Sequence, residues 1–321
     1  MPDSSAMPSA PRTVASTRAL TAEGTRHDAF TANDWLLMAG PGLIWGASFV
    51  LMAQSLEAFA PGVVTMARIV FGCATLALVP AARHPIPRDA WPRIVAVSVT
   101  WLALPMTLFP IAQKHIASSL AGMLNAGIPL FAAFVASVLL RRLPGRWQRA
   151  GLVVGVVGMI MIGARSLGEG GSSVLGVVLV IAAIACYGVA INLSVPLTQA
   201  YGSVPIFWRC QLVAVPLTLP LGLFGLTKSH WSMKAFLSVA VLGVFGTAIA
   251  FVMMTTLAAR VGSTRSSFLT YLEAVVALVL GVLVRHEPLH GLEVAGCAVI
   301  LFGAWLAGRA DTDTARATDV S

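Results

Sequence analysis

Ten runs of apolar residues, each about one membrane crossing long, fill most of this chain, with short polar or turn-forming breaks between them. They cover residues 35–56, 61–80, 92–112, 117–140, 149–165, 173–195, 204–225, 235–258, 264–284 and 290–308. The breaks carry strong signals: Pro85-Ile86-Pro87, Arg141-Arg142-Leu143-Pro144-Gly145, Gly168-Glu169-Gly170-Gly171 and His286-Glu287-Pro288. Within a run, polar and apolar residues do not alternate, as they would in a barrel strand. A spanning segment must satisfy its own backbone hydrogen bonds, so these runs predict helices. A hydrocarbon core about 30 Å thick needs about 20 apolar residues per helix. The pattern therefore predicts an all-α membrane protein of ten transmembrane helices.

Composition agrees. Of the 321 residues, 57% are hydrophobic and 11% are charged, against about 25% charged in soluble domains. The net charge of +8 would suit a nucleic-acid binder if it formed a patch. Here the arginines sit in short breaks between apolar runs, so no nucleic-acid partner is expected. If the N-terminus is inside, 14 Lys/Arg residues fall on the cytoplasmic side, 5 outside and 2 within spans (Arg68 and Arg209). The positive-inside rule then predicts an inner-membrane protein with both termini cytoplasmic. The second half is nearly balanced, so its orientation follows from counting spans. Residues 1–33 lack an apolar signal core and read as a disordered tail, as do 309–321. Cys73, Cys186, Cys210 and Cys297 lie inside apolar runs without a C-x-x-C pair, which suits packing rather than metal or disulfide.

The two halves resemble each other. A shift of 145 carries Gly151, Gly158 and Gly163 onto Gly296, Gly303 and Gly308, and Ser118 onto Ser263. A shift of 142 carries Trp45-Gly46 onto Tyr187-Gly188. The implied units are 34–165 and 173–308, five spans each. With an odd number of spans, the second copy enters the membrane inverted. That plan recurs in secondary transporters, with the solute site near the midplane.

Several motifs carry a family resemblance: Ile44-Trp45-Gly46-Ala47-Ser48-Phe49, Pro61 followed by Arg68, and Gly246-Thr247. A longer stretch runs from Ala258-Ala259-Arg260-Val261-Gly262-Ser263-Thr264-Arg265 through Tyr271-Leu272-Glu273 to Glu287-Pro288-Leu289. On these the chain resembles the drug/metabolite transporter superfamily, in particular its EamA-type members, over about 35–308. It departs at Ala274, where the family usually has proline, and at Arg142, where the first half usually has glutamate. The resemblance implies ten helices, an inverted repeat and transport of a small organic solute, commonly export. It names no solute.

Ionisable residues inside spans are the best functional pointers, since each costs about 2.5–3.5 kcal/mol or more unless paired or hydrated. Glu273 is the carboxylate nearest the midplane and the candidate for proton coupling or contact with a solute amine. It also suits a carboxyl tied to neighbouring helices. Arg68 offers a fixed cation for a solute carboxylate, an ion pair with Glu273 or Glu57, or a side chain snorkelling to the outer interface. Arg209 suits snorkelling, and Glu287 a helix cap or a local pair, for instance with Arg285. Asn125, Asn192, Gln211, Thr270 and Tyr271 are polar residues within spans. Asn125 and Thr270 correspond under the 145 shift, and Trp45 and Tyr187 under the 142 shift, which suggests opposite walls of one cavity. For each of them the alternative is helix–helix packing.

No Walker A, H-E-x-x-H or G-x-S-x-G motif occurs. The reading is a secondary transporter, exporting an amino-acid-like or drug-like metabolite by alternating access, with no cofactor and no metal. The expected partners are the solute and membrane lipid, and a homodimer is left open. The competing readings are a membrane scaffold or receptor and an intramembrane enzyme. The enzyme would need a paired nucleophile and base, which the spans do not offer.

Overall fold

The structure is a computed structural model and describes residues 24–25, 29–139, 145–168, 171–288 and 290–307. Most of the expected N-terminal tail, all of 309–321, and Arg142 lie outside the described residues.

Ten long helical stretches follow one another: α1 (Ala32–Ser55), α2 (Pro61–Ala77), α3 (Arg88–Ala112), α4 (Ser118–Leu139), α5 (Arg146–Gly168), α6 (Gly171–Tyr201), α7 (Ser203–Leu226), α8 (Met233–Val261), α9 (Ser263–Arg285) and α10 (Gly291–Ala307). No strand occurs among the described residues. Eight of the ten are long and apolar enough to cross a bilayer; α2 and α10 are apolar but have only 17 residues each. Local chemistry sets several boundaries. Thr31 and Asp34 form a reciprocal capping box at the start of α1. Pro61 opens α2, where its missing N–H costs nothing. Gly202 and Gly262 take φ of +83° and +88° just before α7 and α9, a conformation that disfavours a side chain. The α4 stretch breaks after Asn125, ahead of Pro129.

Short links make consecutive helices run in opposite senses, so the bundle has two ends. Asp34 pairs with Arg260 at one, at 2.7 Å. Glu57 pairs with Lys234 and Arg285 at the other. Burial pushes the Glu57 pKa up, but its two cationic partners outweigh that and hold it below the ordinary value. Glu287 sits at the same end. It accepts hydrogen bonds from the Ser118 amide (2.9 Å), the Ser118 hydroxyl (2.7 Å) and the Ser119 amide (2.8 Å), and so caps α4. Burial raises its pKa, yet those bonds leave it lowered overall. Of the two roles expected for Glu287, a cap or a local pair, the structure shows the cap, because an acceptor gains more at a helix N-terminus with orphan amides than beside an arginine that already pairs with Glu57.

The principal contacts join α5 to α10, α2 to α7, α4 to α9, α1 to α9, α4 to α6, α3 to α6, α8 to α1, α2 to α8 and α3 to α7. Exchanging the first five helices for the last five maps each of these onto itself or onto another member of the set. The glycines behave likewise. A Cβ on Gly151 would come within 2.3 Å of the Gly303 carbonyl, and one on Gly158 within 2.7 Å of the Gly296 carbonyl. Gly303 is 145 residues after Gly158, and Gly296 is 145 after Gly151, so corresponding glycines meet crosswise. Small residues let the α5 and α10 backbones touch, where dispersion replaces the hydrophobic driving force that lipid removes. Gly303→Val should force these helices apart and lower stability by about 1–3 kcal/mol. Thermal unfolding in detergent, set against Phe302→Leu on the exposed face of α10, measures it.

The outer surface is apolar. Phe224 and Leu283 are exposed along helices, and Trp35, Trp91, Trp231 and Trp305 lie exposed near helix ends. Tryptophan favours that depth because its ring is apolar and its N–H polar.

Candidate functional site

Two helices depart from α geometry where they pass the centre of the bundle. A π-helical segment covers Ser98–Ala103 in α3, and another covers Leu242–Ile249 in α8. Ser98 plus 145 is residue 243, so the two segments occupy corresponding positions. A π-helical turn is wider than an α-helical one and frequently marks a functional position. Here the carbonyls of Gly246 and Thr247 accept from side chains on other helices. Trp45 Nε1 donates to Gly246 at 2.8 Å, and Gln211 Nε2 donates to Thr247 at 2.6 Å. The Thr247 hydroxyl donates to the Leu242 carbonyl at 3.0 Å and accepts from Arg68 Nε at 3.1 Å. Nothing in the sequence announces either π segment.

Against these segments lies a pocket in the bundle interior. Its polar wall is Ser48, Arg68, Asn125, Thr270 and Glu273. Its aromatic wall is Trp45, Phe49, Trp101, Phe109, Tyr187 and Phe251, and Met52, Ile128, Ile191 and Met254 complete it. The aromatic rings brace one another. Trp45 meets Phe251 at 4.9 Å, Trp101 meets Phe251 at 5.6 Å, and Phe109 stacks on Tyr187 at 5.9 Å. The space open to the centres of water-sized molecules is about 50 Å³, room for a few waters. A metabolite would require the walls to part.

Ten of the fifteen lining residues form five corresponding pairs. Under the 142 shift these are Trp45 with Tyr187 and Phe49 with Ile191; under the 145 shift, Phe109 with Met254, Asn125 with Thr270 and Ile128 with Glu273. The shape is thus shared between halves, but the charge is not. Glu273 stands where the first half has Ile128. Arg68 on α2 stands where the second half, 142 residues on, has Cys210.

Glu273 is buried on α9. Its Oε1 accepts from Asn125 Nδ2 at 2.6 Å, and its Oε2, together with Asn125 Oδ1, has no partner among the described residues. Arg68 is 5% exposed, and no carboxylate of a described residue lies within 4 Å of it. Its expected partners are engaged elsewhere, Glu57 with Lys234 and Arg285, and Glu273 with Asn125. Acid and base thus both line the pocket without pairing with each other.

Six of the nine candidate residues meet here: Trp45, Arg68, Asn125, Tyr187, Thr270 and Glu273. The other three lie elsewhere. Asn192 donates to the Ala132 and Gly188 carbonyls, both at 2.9 Å, and accepts from Ser263, tying α6 to α4 and α9. Gln211 supports the α8 π segment from α7. Tyr271 faces a separate apolar groove with Phe30, Trp35 and Phe268. Arg209, at the Asp34 end of α7, donates to the Ala82 and His84 carbonyls, as a snorkelling arginine does. Among the described residues no three His, Cys, Asp or Glu side chains come together as a metal site.

Comparison with known proteins bears on this geometry. The model of the EamA-like transporter family matches twice, over residues 35–164 and 174–309. The uncharacterised transporter YdeK of Bacillus subtilis (strain 168) is 27% identical over 282 residues, covering 84% of this chain and 96% of that protein. A WAT1-related chloroplastic protein of Arabidopsis thaliana is 23% identical over 287 residues, covering 85% of this chain and 69% of that one. One crystal structure of a protein superposes with a TM-score of 0.61 at 20% identity, covering 86% of this chain and 97% of the other, a likeness of fold.

Proposed function

Since this chain belongs to the EamA-like transporter family, and is therefore a multi-pass membrane transporter rather than an enzyme, we propose that it moves a small organic metabolite by alternating access through the pocket between its halves. In this reading all ten helices span the membrane as two inverted five-helix repeats. The 17-residue helices α2 and α10 are at the lower limit for crossing. Both termini face the cytoplasm of a bacterial inner membrane, because that orientation gathers most of the arginines inside. The Asp34 end is then cytoplasmic and the Glu57 end external.

The observation that carries the reading is the pocket's mixed symmetry. Its walls come in corresponding pairs, as a site on a two-fold axis requires, while its one acid and one base are unpaired in that scheme. A structural brace gains nothing from an unpaired buried charge. A solute site gains a great deal from one, because the solute supplies the partner. Arg68 suits a carboxylate, Glu273 with Asn125 suits an amine or an exchanging proton, and the aromatic wall suits a flat apolar body. An amino-acid-like or drug-like metabolite has these parts. Export is the direction we favour, from the resemblance.

Purified protein in liposomes loaded with a panel of carboxylate-bearing metabolites tests the reading, with and without an imposed pH gradient. At least one solute should exchange ten times faster than in protein-free vesicles. Flux no faster than in protein-free vesicles for every member overturns it.

A further inference from the structure

A second cavity opens at the Glu57 end, where α3 finishes and α4, α6 and α10 begin. It holds about 320 Å³ and is lined by Gln113, Lys114, His115, Ser119, His290 and Glu293 among others. Glu293 lies 3.4 Å from His290 Nδ1, and Lys114 Nζ donates to the Leu56 carbonyl at 3.3 Å. Gln113 joins this cleft to the central pocket. Its Nε2 donates to the Phe49 carbonyl at 3.3 Å, and its backbone N–H donates to the Phe109 carbonyl at 2.9 Å. Phe49 and Phe109 line the pocket and close on each other edge to face at 5.7 Å. Gln113 Oε1 is buried with no partner among the described residues. Gln113 thus lines the cleft, bonds to the backbone of two residues that line the pocket, and keeps a free acceptor.

The Asp34 end carries a matching cleft of about 340 Å³, lined by Gln199, Thr256, Ala259 and Arg260 among others. Ala259 and Arg260 are 145 residues after Lys114 and His115, so each cleft sits at the same end of a corresponding helix. The residue corresponding to Gln113 is Ala258, and those corresponding to Phe109 and Phe49 are Met254 and Ile191. At these three corresponding positions one side thus has an amide and two aromatic rings, and the other has neither.

We propose that the cleft beyond Gln113 is the external mouth of the transport route, and that Gln113 is a specificity-determining residue of its gate. This rests on the alternating-access reading above. When Phe49 and Phe109 part, the free Gln113 carbonyl oxygen accepts from a passing solute. The mouth therefore selects polar solutes that bear an N–H or O–H donor, and an apolar solute leaves that oxygen dry and unpaired.

The test is labelling of Ile191→Cys, in the pocket wall, in a protein whose four native cysteines are alanine. A membrane-impermeant methanethiosulfonate is applied from the Glu57 side. We expect modification, slowed at least tenfold by Gln113→Trp, with labelling from the Asp34 side unchanged. A thiol that is never modified from the Glu57 side, or is modified there as fast with Gln113→Trp, overturns the proposal. If Gln113→Trp fails to fold, His290→Trp at the cleft wall takes its place with the same two outcomes. Solute exchange in the same vesicles keeps the two readings apart. Gln113-dependent labelling without exchange removes the transport reading and leaves the cleft only as the pocket's access from the Glu57 end; exchange that Gln113→Trp leaves unslowed keeps transport and removes the mouth.

Discussion

Glu273→Gln should abolish the acceleration of solute exchange by a pH gradient while leaving the protein folded. The substitution is close to isosteric. Its side-chain carbonyl can still accept from Asn125 Nδ2, so the 2.6 Å bond that joins α9 to α4 survives. What disappears is the capacity to take up and release a proton. In the present arrangement Glu273 has one hydrogen bond, and its second oxygen is sealed in the bundle without a partner. A full negative charge in such a place has lost its water and gained little in return. A proton on Oε2 removes the charge, and opening of the pocket restores water and lets the proton go. Coupling of this kind needs only that the two faces of the membrane reach the carboxyl in turn. The expected result is at least a tenfold loss of the pH-driven component, with a thermal midpoint within a few degrees of the parent. Unchanged dependence on the gradient would assign Glu273 to solute binding alone. A midpoint lowered by far more would make it a structural tie between α9 and α4.

Much of this was readable in advance, for a physical reason. Lipid imposes a single composition on every crossing, so ten apolar runs stand out, and each lies within a few residues of a helix in the structure. The polar half of the site was readable because charge in lipid is rare. Arg68, Asn125, Thr270 and Glu273 attract notice on cost alone. The aromatic half was not. Phe251 is 2% exposed in the pocket wall and Phe224 is 78% exposed on the surface, yet hydropathy scores them alike. Trp101, Phe109 and Phe251 therefore passed as ordinary lipid-compatible residues. Asn192 and Gln211 lie outside the pocket for the opposite reason. Each is polar and buried, but each spends its amide on backbone carbonyls between helices, a use that looks the same in sequence as a solute contact. Tyr271 lies off the pocket by helix geometry. Thr270 and Glu273 are three apart and share a helix face, whereas Tyr271 is turned about 100° from Thr270. The cleft beyond Gln113 has no signature in the sequence, since its lining residues come from separate span ends that only the fold brings together.

Replacing Arg68 by methionine should stabilise the protein and remove its function, a combination that a structural arginine does not produce. The guanidinium has five donor hydrogens. Among the described residues one donor is used, Nε toward Thr247, and that partner is a neutral hydroxyl. Neither terminal nitrogen is among the buried atoms lacking a partner, so both keep some access to the pocket. A charge left this way is destabilising, and methionine fills a similar volume without it; the gain is expected at about 1–3 kcal/mol. The loss is larger. A carboxylate held bidentately by arginine gains two charge-assisted hydrogen bonds, worth about 3 kcal/mol together, and these vanish in the methionine protein. The Michaelis constant for a carboxylate solute should rise at least a hundredfold, while an uncharged analogue of the same solute is barely affected. Arg68→Lys keeps the charge and loses the fork, so it should fall between the two. Thermal midpoints with and without solute make the argument two-sided. The parent should gain stability from the solute, and the methionine protein should start higher and gain nothing. A methionine protein that is less stable than the parent and transports with an unchanged Michaelis constant would make Arg68 a brace for the α8 π segment, held there by Thr247, and would leave the pocket with its acid as the sole charged group.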